Sequence, residues 1–284
     1  MADDQSNHPL YSKPANPHPL SDQPPEAEKP KGVAIPIPLN AKIPLLTYSL
    51  LILNVGIFML RYITPELSNE ILFAGYIDPA LIFQDRQFYR LVTGMFLHFN
   101  EAHILFNGIA LYYVGSHVER LFGHTRFAII YLLGGLGGSI LPLLLNSGGL
   151  GASGAVFAIW GAEMIFLYQH QQLFGANGRA RLRASLTMMA VNFIAGFSAN
   201  ALASVADSPV RVGNAAHFGG LIGGALLAWM IAPHLVVRRK VATENDPLQV
   251  EIVQDKHLKD DWQLIVYYSI GLLAILLLAI LLHA

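Results

Sequence analysis

Cysteine is absent from all 284 residues, which excludes disulfides, thiol catalysis and cysteine-based metal sites. Charge is scarce as well. Only 13% of residues are Asp, Glu, Lys or Arg against 54% hydrophobic, too few to give a soluble domain a water-facing surface. The net charge of -1 selects no class of partner, and without a basic face interleaved with aromatics no nucleic-acid binding is expected. What fills the chain instead is apolar sequence in long runs, the composition of a polytopic membrane protein.

Residues 1–42 stand apart. Nine of the sixteen prolines lie between Pro9 and Pro38, among Asp, Glu, Lys, Asn and Ser, so this segment is expected to be a disordered or PPII-like tail. It does not read as a signal peptide, because the first long apolar run begins only at about Ile43. Runs of spanning length follow at approximately 43–60, 97–117, 126–145, 152–170, 184–203, 213–233 and 263–283. Seven spans are thus expected. The last is set apart by a charged stretch from Arg238 to Asp261.

Lys and Arg placement gives the orientation, since cytoplasmic loops retain positive charge. With the tail cytoplasmic, fourteen of the eighteen basic residues fall inside, and only Arg61, Arg86, Arg90 and Arg211 fall outside. The N-terminus is therefore expected inside and, after seven spans, the C-terminus outside. Spans two, four and six then all start at the outer face. Ser153 opens span four, His217 lies near the start of span six, and His98, His103 and Asn107 precede or open span two. Three polar clusters from distant sequence share one layer. His103 and Asn107, four apart, also share a helix face.

Taken alone, the stretch Gly151-Ala-Ser153-Gly154 leaves two readings open, a nucleophile or a small residue that lets helices pack. His217 is similarly divided between function and packing, although ionisable groups at membrane depth are costly and start as functional candidates. Gly220 and Gly224 have the small-x-x-x-small spacing that brings helix backbones together. Against span four with Gly151 and Gly154, such a contact brings a serine hydroxyl and an imidazole within hydrogen-bond reach.

With these residues in order, the chain resembles the rhomboid family of intramembrane serine proteases. The matching motifs are Gly-x-Ser-Gly at 151–154, the Ala-His-x-x-x-Gly helix at Ala216, His217, Gly220 and Gly224, and the His98, His103, Asn107 run. To these add Gly115, Glu119 and Gly123 at four-residue spacing, and the aromatic-Arg pair Tyr89 and Arg90. They run in family order from about residue 85 to 230. The resemblance implies an all-α polytopic fold with a six-helix rhomboid core plus a seventh C-terminal transmembrane helix. Two positions depart from the family: Phe157, four after the serine, replaces a frequent tyrosine, and Tyr89 a frequent tryptophan. Both keep an aromatic ring, and Phe157 can still stack on an imidazole.

The implied chemistry is a Ser153–His217 catalytic dyad. A hydroxyl needs a base, and histidine's unperturbed pKa of about 6.5 suits that work. No motif supplies a carboxylate in the same layer, with Asp207 the weak possibility for a triad. The start of span four offers backbone N–H groups, including that of Ser153 beside Gly151, for an oxyanion. The resemblance adds the His103 and Asn107 side chains as further donors, with His98 supporting the site. Gly154, Phe157, Gly220, Gly224, Glu119 and Arg90 are expected to serve packing: Glu119 by capping or pairing with an Arg, Arg90 by anchoring the outer loop at the headgroups. Glu163, about 15 Å deeper than Ser153 by helical rise, has either an interfacial or an internally paired place.

The expected organisation is a tail at 1–42, a protease core at 43–235 with an outer interfacial loop at 61–96, a cytoplasmic charged linker at 236–261 and the additional helix at 262–284. By resemblance, the outer loop forms a partly embedded lobe, and span five, with Asn192 and Asn200, is the movable helix beside the site. Substrates are expected to be single-span transmembrane proteins, cut near the outer face where Gly, Pro or polar residues weaken the helix. The protein is expected in the lipid bilayer, in a bacterial inner membrane, without a cofactor or metal. Three other readings are a His98, His103 and His217 metal enzyme, a transporter, and a relative that holds client helices without cutting them. The first lacks His-Glu-x-x-His and the second an inverted repeat; the third is disfavoured by intact Ser153 and His217.

Overall fold

A computed structural model of the chain describes residues 39–207, 211–239, 250–255 and 257–283. All of the expected tail but its last four residues, and 240–249 of the expected linker, lie outside the described residues. The chain runs through α1 (Leu45–Ile63), α2 (Pro65–Gly75), α3 (Pro79–Phe83), α4 (Arg90–Thr93), α5 (Glu101–Ala110), α6 (Ser116–Phe122), α7 (His124–Ile129) and α8 (Gly135–Ile140). There follow α9 (Ser153–Gln169), α10 (Gln171–Val205), α11 (Asn214–Ile231), β1 (Leu235–Arg239), β2 (Val250–Gln254) and α12 (Trp262–His283). A π turn at Leu111–Gly115 joins α5 to α6 as one helix over 101–122, and another at Ile130–Gly134 joins α7 to α8. Gly123, at φ 81°, ends the first of these long helices and starts the next.

Among the described residues, five helices are long and apolar enough to cross a membrane: Leu45–Ile63, His124–Leu145, Gln171–Val205, Asn214–Ile231 and Trp262–His283. Seven runs were expected. The two others do form helices. The helix over 101–122 carries Glu101, Glu119 and Arg120, and α9 is only 17 residues long. The chain is a mostly helical, multi-pass integral membrane protein.

Helix α9 is its centre, with Gly154 to Glu163, Phe166 and Leu167 all buried, as expected for a helix that is apolar all round. Its neighbours meet it at bare backbone. A Cβ on Gly220 of α11 would lie 1.9 Å from the Gly154 oxygen, and one on Gly224 would lie 1.8 Å from the Ala158 oxygen. One on Gly138 of α8 would lie 2.9 Å from Gly154 Cα and from the Ala216 oxygen. No side chain fits in these seams, so α8, α9 and α11 pack as a unit through glycine.

The opposite end of the bundle from Ser153 is fixed by two buried carboxylates. Glu119, at 0% exposure, accepts hydrogen bonds from the Leu46 and Thr47 N–H groups and the Thr47 hydroxyl, and pairs with His124. It supplies the acceptor that Pro44, preceding α1, cannot. Glu119→Ala leaves these buried donors without acceptors and is expected to cost about 2–5 kcal/mol of stability, readable as an earlier thermal unfolding in detergent. Glu163, at 2% exposure, is paired internally. It accepts from Arg181 Nε and the Ser185 hydroxyl on α10 at 2.8 and 2.9 Å and meets His117 Nδ1 at 2.8 Å.

Helix α10 is 35 residues long, with a break at Gly175, φ 55°. Residues 179–183, between the expected spans four and five, are helical here, and Arg181 bonds Glu163 while its side chain stays exposed. A second departure from the all-α reading is the hairpin of β1 and β2, antiparallel with Val237 opposite Ile252. "VEIVQ" is rich in β-branched residues, as strands are, and the Leu235 N–H donates to His170 Nε2 at 3.0 Å, tying the hairpin to the end of α9.

Candidate active site

Ser153 is the first residue of α9, and the loop before it is held by backbone hydrogen bonds. Ile77 and Gly149 exchange N–H to carbonyl bonds of 2.8 and 3.0 Å, and the Gly151 N–H donates to the Gly94 carbonyl at 2.8 Å. The lobe of α2, α3 and α4 therefore positions the serine loop. Gly151 has φ 133°, and a Cβ there would lie 2.6 Å from both Cε1 and Nε2 of His103 and 3.7 Å from Ser153 Oγ. Glycine is required for both reasons, conformation and space. No side chain caps the start of α9, so its first N–H groups and the positive end of its dipole are available at the serine.

His103 is placed by its own helix start. Asn100 Oδ1 accepts from the His103 N–H at 2.8 Å, an N-cap on α5. The Phe99 N–H points at His103 Nδ1 at 3.5 Å, which assigns the ring proton to Nε2, the nitrogen beside Gly151. His98, 4% exposed, lies edge-on to the His103 ring with centroids 5.2 Å apart. Both of its nitrogens are buried without a hydrogen-bond partner among the described residues. Asn107 is buried one turn along from His103 and donates Nδ2 to its carbonyl at 3.0 Å.

His217 stacks on Phe157 with centroids 4.1 Å apart and planes 10° apart. Phe157 lies one turn along α9 from Ser153, so the ring that clamps the imidazole stands on the same helix as the hydroxyl. With α11 held against Gly154 through Gly220, the imidazole sits beside the serine end of α9. His217 Nδ1 is buried and has no hydrogen-bond partner among the described residues. Asp207 is exposed, and nothing ties it to that nitrogen. Among the described residues, no three His, Asp or Glu side chains are grouped to hold a metal ion.

The other expected residues lie elsewhere. Glu119 and Glu163 occupy the far end of the bundle. Arg90 is 3% exposed, not at a headgroup surface: its guanidinium donates to the Phe73 and Tyr76 carbonyls and to Gln87 Oε1 at 2.8–2.9 Å and faces the Tyr76 and Tyr89 rings. It anchors the lobe from within, because carbonyls at the end of α2 offer acceptors that a lipid surface would otherwise supply. Asn192 only bonds the Met188 carbonyl one turn back. Asn200 clamps Val212, donating to its carbonyl and accepting from its N–H.

Sequence reasoning passed over an aromatic cluster between α10 and α11. Phe193 stacks on Phe218 at 4.1 Å and meets Phe157 edge-on at 5.6 Å. Phe193 and Phe197, four apart in an apolar run, were the available signal. Asn214, buried at the start of α11 with its amide unpaired among the described residues, was also missed.

A family model described as the rhomboid domain matches residues 85–234, just over half of the chain. Among similar proteins, RHOMBOID-like protein 1 of Arabidopsis thaliana is 32% identical over 158 residues, covering 55% of this chain and 38% of that protein. Rhomboid protease GluP of Bacillus subtilis (strain 168) is 33% identical over 188 residues, 65% of this chain and 34% of the relative. Rhomboid protease AarA of Providencia stuartii is 28% identical over 220 residues, 66% and 74% of the two chains. The chain spans 34–48% of the length of the first four curated relatives it matches.

Proposed function

Because the chain belongs to the rhomboid family, we propose that it is an intramembrane serine endopeptidase whose Ser153–His217 dyad cuts single-span transmembrane proteins near the outer face. The observation that carries this reading is the stack of His217 on Phe157 beside a serine at an uncapped helix start. Two relatives named as rhomboid proteases support the reaction class.

In the proposed reaction His217 takes the Ser153 hydroxyl proton as Oγ bonds to the scissile carbonyl carbon. The carbonyl oxygen becomes an oxyanion, met by the Ser153 backbone N–H, His103 Nε2–H and the free N–H of the Asn107 amide. The intermediate collapses with loss of the amine, to which His217 returns the proton. Water, deprotonated by His217, then attacks the acyl ester and frees Ser153. His98 holds His103 in place, and Gly151 lets the His103 ring approach. Among the described residues His217 Nδ1 has no hydrogen-bond partner, which supports reading the site as a dyad.

The core would comprise six helices over 43–235, counting 101–122 and α9 as spans, with α12 the seventh; the tail, the 61–96 loop and the linker keep the bounds given above. An N-terminus on the inside is favoured by the distribution of Lys and Arg, and a bacterial inner membrane fits the compact chain and short loops. Substrate would enter past α10, of which Gly178, Ser185, Met189 and Gly196 alone are buried among its described residues.

The test is cleavage of a generic transmembrane substrate by purified protein in liposomes, together with labelling by a serine-reactive fluorophosphonate and mapping of the adduct. The adduct is expected on Ser153. His103→Ala is expected to lower kcat by about 10²- to 10³-fold with little change in KM, the loss of one oxyanion donor. An adduct elsewhere would place the nucleophile elsewhere, and client binding without labelling or cleavage would favour the holding role.

A further inference from the structure

We propose that α12 positions the dyad through one side chain, Tyr268, which braces α11 on a face about a quarter turn from the one that meets α9. The proposal rests on the serine protease reading and adds to it a positioning residue on the seventh helix.

Helix α12 is otherwise loosely applied to the bundle. Among its described residues only Tyr268, Leu272 and Ala279 are buried, and an apolar cavity of about 360 Å³ separates it from α8 and α11 along Ile140, Gly219, Ile222 and Leu226. Among the contacts that hold it there are two polar ones. At one end the terminal His283 bonds the Leu144 carbonyl through Nε2 at 3.1 Å and stacks on Phe83 of the lobe. In the middle Tyr268 reaches in, and its hydroxyl lies 3.4 Å from the Leu133 carbonyl.

That hydroxyl sits in the seam between two glycines. A Cβ on Gly223 of α11 would lie 2.4 Å from it, and one on Gly137 of α8 would lie 3.3 Å from it. The Gly137 and Gly219 backbones are themselves in contact, and the adjacent Gly138 touches Gly154 and the Ala216 carbonyl, the residues next to Ser153 and His217. Helix α11 therefore rests on two adjoining surfaces, Gly154 and Ala158 on one face and the phenol on the next, about a quarter turn away. Its position against α9 sets the distance between imidazole and hydroxyl. Gly223 is six residues from His217, about 9 Å along the helix, so a sideways push there reaches the imidazole.

The Gly223 contacts make the test specific. After the Tyr268 hydroxyl, the nearest atoms to an added Cβ are Gly134 Cα and its oxygen, both at an ordinary 3.4 Å. The obstacle to alanine is one oxygen atom, at the far end of the Tyr268 side chain. Gly223→Ala is expected to slow fluorophosphonate labelling of Ser153 by about 10- to 100-fold, the scale of a small misalignment of reacting groups, with kcat for cleavage falling and KM unchanged. Gly223→Ala/Tyr268→Phe, which removes that oxygen, is expected to recover to within about threefold of the wild-type rate. Tyr268→Ala, which withdraws the brace, is expected to lose labelling like Gly223→Ala.

Thermal unfolding of each variant separates folding from positioning, and where Gly223→Ala fails to fold the double variant and Tyr268→Ala decide. Rescue by Tyr268→Phe supports the brace. Wild-type labelling rates in Gly223→Ala or Tyr268→Ala, or a double variant as slow as the single one, overturn it and leave the protease reading standing. A wild-type protein that neither labels nor cleaves overturns the protease reading itself.

Discussion

Ser153→Ala is expected to abolish fluorophosphonate labelling and to lower cleavage by at least ~10⁴-fold, and His217→Ala to lower both rates by a similar factor. The two losses should not multiply. Nucleophile and base act in one step, so a double variant should be no worse than either single one. Cleavage would be measured as turnover in liposomes, with folding checked by thermal unfolding. Since Ser153 opens α9 without capping it, alanine there removes no structural hydrogen bond, and stability should hardly change. Activity that survives both substitutions would place the chemistry elsewhere.

Gly220→Ala is expected to have an effect nearly as large from a residue that touches no substrate. The new Cβ would lie 1.9 Å from the Gly154 oxygen and 3.1 Å from Gly154 Cα, and a backbone cannot rotate away as a side chain can. The helices bearing Ser153 and His217 must separate by something near a methyl's width. Misplacement on that scale costs about 10²-fold in rate, and the strained seam should also unfold at lower temperature. Comparison with Gly223→Ala is informative, since its obstacle is a side-chain hydroxyl that a second substitution removes, whereas no such substitution exists for Gly154. A Gly220→Ala protein with wild-type kcat would show that close contact of α9 and α11 is not what aligns the pair.

Much of this arrangement was legible from sequence, and for a physical reason. Membrane depth converts position along a helix into height, so spans two, four and six put His103, Ser153 and His217 in one layer before any contact was known. Glycine spacing at 220 and 224 added which faces approach. Partners distant in sequence were not legible: Glu163 with His117, 46 residues away, or Glu119 with Thr47, 72 away. A carboxylate in an apolar run says that it needs donors, not where they are. Arg90 misled for the converse reason. Its charge suggested a headgroup, yet carbonyls at the end of α2 satisfy it inside the lobe. The hairpin was hidden because charge in 236–261 outweighed two short β-branched runs.

The mutual bonds of Ile77 and Gly149, with the Gly151 N–H on the Gly94 carbonyl, have a bearing on how this fold can be cut down or rebuilt. Among the described residues, three backbone bonds fasten the nucleophile's loop to the lobe, and each has a partner before the first residue of α5. A shortened protein starting at Glu101 would keep Ser153, His217, His103 and Asn107, yet leave the Gly149 and Gly151 N–H groups without acceptors. The smallest transplantable unit is therefore the dyad together with its lobe. A scaffold designer who copied the histidine and serine alone would be copying a lock without its doorframe.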